Sequence, residues 1–284
     1  MIKKRYKAFD RLLTQARLSE KRKFLIFWNR GLGDIPLGLY AATIRIRHFI
    51  PEASITFYTR KDLAPCFEML PRVESFVDTD LKRGETSLNL LDQIPYDELI
   101  LSLNPTRDVA WQIKNLIPKL HWQEKWDCLA SSFRLHKECI GLHISSETEG
   151  YYGYTKDWPL NNFKKLIREK REHTFLLFGI NSKEKIEEKN VMDLRGKTSL
   201  FEMIALIKTY CKTLVAPDSG ILSILYYIDA TFPLRLISLW ADPCQGVLRQ
   251  QVPSPNPSLC HIPLVGKKNL VENISISEVA KYLK

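Results

Sequence analysis

Apolar positions along the chain fall into two successive alternations of strand-like and helix-like spacing. In the first, Phe24–Trp28 is a continuous apolar run, Ile35–Phe49 repeats at helical period, and Ala53–Thr59 is strand-like again. A helical pattern over Leu63–Leu70 and strand candidates at Val73–Asp80 and Asp97–Leu103 complete this half. The second alternation predicts strands at Cys139–Ser145, Thr174–Ile180, Thr213–Pro217 and Leu234–Trp240. Its helices are expected over Leu160–Glu172, Ser199–Tyr210 and Gly220–Ile228, with a terminal helix capped by Ser275. The stretch Trp122–Lys137 has no clean period and reads as a linker.

Strands separated by helical segments argue for parallel sheets with crossover helices. The expected fold class is therefore α/β: two Rossmann-like domains whose parallel sheets face one another across a cleft. The boundaries read as a basic N-terminal segment 1–23, a first domain 24–135, a second domain 136–266 and a C-terminal helical segment 267–284 that packs back on the first domain. Ligands of such sheets sit beyond the C-terminal ends of the strands, so function is expected between the halves.

Charge changes this picture at one place. The formal net charge is +10, and residues 1–23 carry nine Lys/Arg against Asp10 and Glu20, a net of +7. Ile2, Tyr6, Phe9, Leu13 and Ala16 line one side of that segment. A basic amphipathic helix suits an anionic membrane surface; it suits equally a helix laid on its own domain with the apolar stripe inward. No apolar run reaches the ~18 residues of a membrane span, and the N-terminus lacks a secretory h-region, which leads to a cytoplasmic expectation. No nucleic-acid-binding module is recognisable, so nucleic acid is not an expected partner. The six cysteines include no Cys-x-x-Cys pair, and the six histidines (His48, His121, His136, His143, His173, His261) have no metal spacing; no metal is expected. His143 follows the first strand of the second half, where it meets substrate or simply packs.

The first apolar run leads into Gly31-Leu-Gly33-Asp34. A dinucleotide fingerprint is incomplete, because Pro36 stands where the third glycine belongs and the next strand ends in Thr59-Arg60 rather than an acid. P-loop, nucleophile-elbow and His-Glu-x-x-His patterns are missing as well. What the turn does offer is Asp34 at a helix start, either as a cap or as a general base. In the second half Asp218-Ser219-Gly220 opens a helix after an apolar strand, where free N–H groups bind an anion or the residues merely cap. Lys156 precedes a Trp-Pro that enters a helix, and is a surface charge or a partner for a phosphate leaving group.

Three segments, "NRGLGDIPLGLYAATIRIRHFIPEASITFYT", "TKDWPLNNF" and "DLRGKTSLFEMIALIKTYCKTLVAPDSG", resemble in order and spacing glycosyltransferase family 9, which includes the lipopolysaccharide heptosyltransferases. The resemblance spans roughly residues 24–284 and implies a GT-B fold and metal-independent, inverting sugar transfer from a nucleotide-sugar donor, ADP-linked in the best-known members. It implies a glycolipid acceptor such as lipid A–inner core, met at the inner face of the inner membrane. It assigns Asp34 as general base and Lys156 as a contact to donor phosphate. Thr198, Ser199, Leu200, Asp218, Ser219 and Gly220 fall on its donor side, and Gly33, Arg60 and Arg107 on its acceptor side. Two positions depart from the pattern: Ser223 stands where the family has histidine, and a longer loop is reduced to "WADPC" (Trp240–Cys244). Those departures motivate a second expectation, a nucleotide-sugar-binding protein with impaired catalysis.

Overall fold

The computed structural model describes residues 6–85, 98–101, 103–135, 138–146, 153–179 and 184–283. The first five residues of the basic segment, the ends of two expected strands at Asp97 and Ile180, and His136 lie outside them.

The chain divides into two units. The first comprises residues 1–121 with 227–229 and 250–255; the second comprises 122–226, 230–249 and 256–284. In the first unit, helix α1 (Tyr6–Leu18) precedes strand β1 (Lys23–Trp28). A π-helical turn at Ile35–Leu39 then runs into α2 (Tyr40–Phe49), followed by β2 (Ser54–Arg60), a single turn α3 (Ala64–Phe67), β3 (Glu74–Asp78) and β4 (Glu98–Leu101). The sheet order is β3-β2-β1-β4, with every pair parallel. β1 and β2 are buried along most of their length, as strands covered on both faces must be, while β3 is an exposed edge.

α1 settles the choice left open for its apolar stripe. Phe9, Leu13 and Ala16 are buried, and Asp10 receives a bidentate pair of hydrogen bonds from Arg45 of α2 at 2.8 and 2.7 Å. The helix is laid on its own unit, with its basic face outward.

The second unit begins with a 3₁₀ helix, Glu124–Phe133, where the sequence suggests a linker. It is ordered by side chains that carry no period: Trp126 stacks on Phe201 at 4.1 Å, and Asp127 accepts from Trp122 Nε1 at 2.9 Å and Lys208 Nζ at 2.7 Å. The elements that follow are β5 (Cys139–His143), α4 (Leu160–Glu169), β6 (Thr174–Phe178), β7 (Val191–Asp193), α5 (Leu200–Tyr210) and β8 (Cys211–Pro217). After them come α6 (Gly220–Tyr227), β9 (Leu234–Trp240), α7 (Gly246–Gln250), β10 (Leu259–Val265) and α8 (Ile276–Ala280). Their sheet runs β10-β9-β8-β5-β6-β7, again all parallel. The sequence reading lacks β7, β10 and α7. β7 is three residues long, and β10 is a half-exposed edge interrupted by His261 and Pro263, so neither shows a buried-strand pattern.

The C-terminal segment packs on the second unit, not back on the first domain. Val271, Ile274, Val279 and Leu283 join the core of Leu142, Trp158, Phe163 and Leu177, and Trp158 Nε1 donates to Ile274 O at 2.9 Å. α8 is held by a capping box between Ser275 and Glu278.

Candidate active site

In the first unit the chemistry gathers after β1. Trp28 Nε1 and the Asp34 amide both donate to Gly31 O at 3.3 Å, closing a tight turn around Leu32 and Gly33. A β-carbon at Gly31 would lie 2.9 Å from Asp34 Oδ2, so the carboxylate rests against this glycine. Asp34 has helical backbone angles and makes no capping hydrogen bond, which removes the cap reading of its side chain. The helix it opens starts as a π turn with Pro36 inside, and Leu37 O takes side-chain amides from Gln112 and Gln250. π turns are rare and concentrate at functional sites. Asp34 is half-buried.

Beside this turn a cavity of about 90 Å³ is lined by Phe27, Trp28, Asn29, Arg30 and Glu85. Asn29 is fixed by donating to Lys82 O at 3.0 Å and Glu85 O at 2.5 Å. Neither Asn29 nor Arg30 is singled out by the sequence, although both sit within five residues of Asp34; the signal available was only their place at a strand end. Of the acceptor-side residues, Gly33 accepts the Leu37 amide at 3.2 Å within the turn. Arg60 ends β2, nearly buried, and pairs with Asp62 at 2.7 Å. Arg107 is exposed and paired with Asp108 at 2.6 Å, which holds its guanidinium pKa above the ordinary value.

In the second unit the structure brings together two residues 62 positions apart. Lys156 Nζ lies 2.6 Å from Asp218 Oδ2, and both side chains are about nine-tenths buried. Burial pushes the Asp218 carboxyl above its ordinary value, Lys156 pulls it back, and Asp242 adds a smaller upward push. Asp218 is fixed from behind by its amide, which donates to Leu239 O at 3.1 Å. Ser219 takes the capping role at α6: its Oγ accepts the Leu222 amide at 3.3 Å, which leaves Asp218 to Lys156. Ser223, at the position where the family pattern has histidine, is buried and turns its hydroxyl back to Ser219 O at 3.2 Å.

The shortened loop is built on Asp242, whose carboxylate accepts the Cys244 amide at 2.8 Å and Gln245 Nε2 at 3.1 Å. It ends at Gly246, with φ of +50°, where a β-carbon would lie 2.8 Å from Asp218 Oδ1. Asp242 and Gly246 are thus neighbours of the pair that motif reading does not single out. Thr198, Ser199 and Leu200 open α5. The Ser199 hydroxyl is committed there to a capping box, accepting from the Glu202 amide at 3.2 Å while Glu202 accepts the Ser199 amide at 2.7 Å. Among the described residues no group of three or more His, Cys, Asp or Glu side chains is placed to hold a metal ion, and no helix is long and apolar enough to cross a membrane.

Comparison with known proteins bears on both halves. The model of Glycosyltransferase family 9 (heptosyltransferase) matches residues 119–242, the span that contains Lys156, Ser199 and Asp218–Gly220. No curated protein matches the chain by sequence. Among solved structures, E. coli ADP-heptose lps heptosyltransferase II superposes with a TM-score of 0.62 at 17% identity, covering 91% of this chain and 96% of its own. The glycosyl transferase family 9 protein from Veillonella parvula gives 0.59 at 17% identity, covering 92% and 95%. The dodecameric iron-containing heptosyltransferase TibC, in complex with ADP-D-beta-D-heptose, gives 0.50 at 13% identity, covering 84% of this chain and 62% of its own. The α/β fold with two parallel sheets is therefore that of the GT-B heptosyltransferase structures, and the resemblance to glycosyltransferase family 9 is matched over residues 119–242.

Proposed function

We propose that this chain, with its glycosyltransferase family 9 segment, is an inverting transferase that moves heptose or a related hexose from an ADP-linked donor to a glycolipid such as lipid A–inner core. The observation that carries this reading is the buried Lys156–Asp218 pair at the C-terminal edge of the second sheet, beside the start of α6 and inside the family-matched span. Two of the structurally similar proteins are described as acting with or binding ADP-heptose.

The reading gives each unit one task. Asp34 accepts the proton of an acceptor hydroxyl as that oxygen bonds to the anomeric carbon. The bond from that carbon to the diphosphate breaks, and its electron pair leaves on the phosphate oxygen. Lys156 and the free amides at Ser219 and Gly220 stabilise the charge that develops there. Gly33, Arg60 and Arg107 serve the acceptor, with Arg60 and Arg107 suited to anionic groups on it. The outward basic face of α1 supplies peripheral attraction to the anionic inner face of a membrane.

Calorimetric titration with ADP, UDP and GDP tests the donor assignment. ADP is expected to bind and to be lost in Asp218→Ala; failure of all three nucleotides to bind the wild-type protein overturns it. A second reading, binding without turnover, is favoured by Ser223, whose hydroxyl is spent on Ser219 O and offers nothing to a donor. Release of ADP from ADP-heptose in the presence of a lipid A–inner core acceptor, abolished in Asp34→Asn, eliminates that second reading.

A further inference from the structure

A hydrogen-bonded chain runs through the core of the second unit, among residues that the proposed mechanism does not use. Ser238 lies in β9 and is fully buried. Its hydroxyl oxygen accepts the indole N–H of Trp240 at 2.6 Å and stands 2.7 Å from His261 Nε2 on β10. An indole nitrogen can only donate, so the oxygen of Ser238 is the acceptor at that end. Its second hydrogen bond is the one to His261 Nε2, in which the imidazole accepts or donates according to its tautomer. Burial holds the imidazole at about 4, so the ring is neutral near pH 7. His261 is steadied in turn by the ring of Tyr226, edge-on at 5.0 Å.

The other end of the chain reaches the candidate donor site. A β-carbon on Gly246 would lie 2.7 Å from Trp240 Cη2 and 2.8 Å from Asp218 Oδ1, so the indole edge and the carboxylate both close on the side-chain position of this glycine. The Trp240 ring is wholly buried in a sheet of Leu and Ile side chains. Apolar packing alone tolerates either flip of an indole about its ring torsion; one hydrogen bond from Nε1 selects the flip that puts the six-membered ring against Gly246.

We propose that Ser238 and His261 are positioning residues for the Lys156–Asp218 pair: by fixing the Trp240 indole they seat Gly246 where Asp218 rests, and so set the affinity for a nucleoside diphosphate. This deepens the donor-site reading and rests on it. Two side chains separate His261 from Asp218, and the effect passes through shape rather than charge.

The test uses the whole chain with Ser238→Ala, His261→Phe, which keeps bulk without a hydrogen-bonding group, and His261→Gln, which restores one. Two readouts are taken on each variant after circular dichroism confirms folding. The first is ADP affinity by calorimetry, expected to fall about tenfold in Ser238→Ala and His261→Phe and to return to within about threefold of wild type in His261→Gln. The second is acylation of Lys156, followed by peptide mass spectrometry without nucleotide. It is expected to be slow in wild type and His261→Gln and about tenfold faster in the other two, as the pair loosens. Wild-type affinity and protection in Ser238→Ala and His261→Phe, whatever their melting temperatures, would overturn the proposal. Equal losses in all three variants would overturn it too, because the hydrogen bond would then not matter. If the wild-type protein binds no nucleoside diphosphate, the donor-site reading fails, while Lys156 protection still judges the positioning claim by itself.

Discussion

Two aspartates stand at strand-to-helix turns in this chain, one in each unit, and their environments are opposite. Asp34 follows a glycine turn, opens a π-helical segment and keeps its carboxylate half-buried above Gly31, with no capping bond. Asp218 follows β8 directly, is about nine-tenths buried, and is tied to Lys156 at 2.6 Å. The same sequence grammar, apolar strand then acid then helix, thus produces a carboxylate near a surface and a carboxylate locked in an ion pair. What marks Asp218 is a partner far away in sequence. Lys156 reaches Asp218, and Ser219 takes over the helix cap so that Asp218 is released to meet it.

The sharpest way to break the comparison is to remove each acid in turn. Asp34→Asn should lower turnover by roughly 10²–10⁴-fold with ADP affinity unchanged, read as ADP release from a nucleotide-sugar donor beside a calorimetric titration. A parallel loss of binding would mean that Asp34 shapes its turn rather than takes a proton. Lys156→Met should instead lower stability by about 3–5 kcal/mol in chemical denaturation, because it strands a buried carboxylate. Adding Asp218→Leu to Lys156→Met should recover most of that stability without restoring ADP binding.

A third prediction concerns pH. Burial holds the His143 imidazole at about 4, well below its ordinary 6.5, so the folded state resists a proton that the unfolded chain accepts. Stability from this residue is fully present above pH ~6.5 and is lost as pH falls toward ~4, amounting to about 3 kcal/mol at the acid end. Denaturation midpoints of wild type and His143→Phe should diverge across that window and run parallel above it. The smallest effect is expected at Ser199. Loss of its capping box in Ser199→Ala should cost about 1 kcal/mol in thermal stability. If ADP affinity falls as well, α5 contributes to the donor site beyond its cap.

Much of the architecture was legible because parallel strands buried on both faces read as unbroken apolar runs, as in Phe24–Trp28 and Leu234–Trp240. Segments without such runs were not. β10 alternates half-exposed positions around a proline, and Glu124–Phe133 is ordered by a stack on Phe201 and a lysine from α5 that no local pattern announces. The same holds at the site. Asp34, Lys156 and Asp218 stand out through their motifs, whereas Gly246 and Asp242 matter only because folding brings them beside Asp218. The ambiguity of α1 had a physical root too, since one apolar stripe suits a membrane and a protein surface alike. The burial of Phe9, Leu13 and Ala16 shows that the stripe packs on the helix's own unit.

That burial has a consequence for how the protein would be handled by a cell. With Phe9, Leu13 and Ala16 spent on its own unit, α1 turns outward its lysines and arginines together with two exposed leucines, Leu12 and Leu18. The pull of those charges on an anionic surface is governed by counter-ions, fading over a Debye length of about 8 Å at physiological ionic strength.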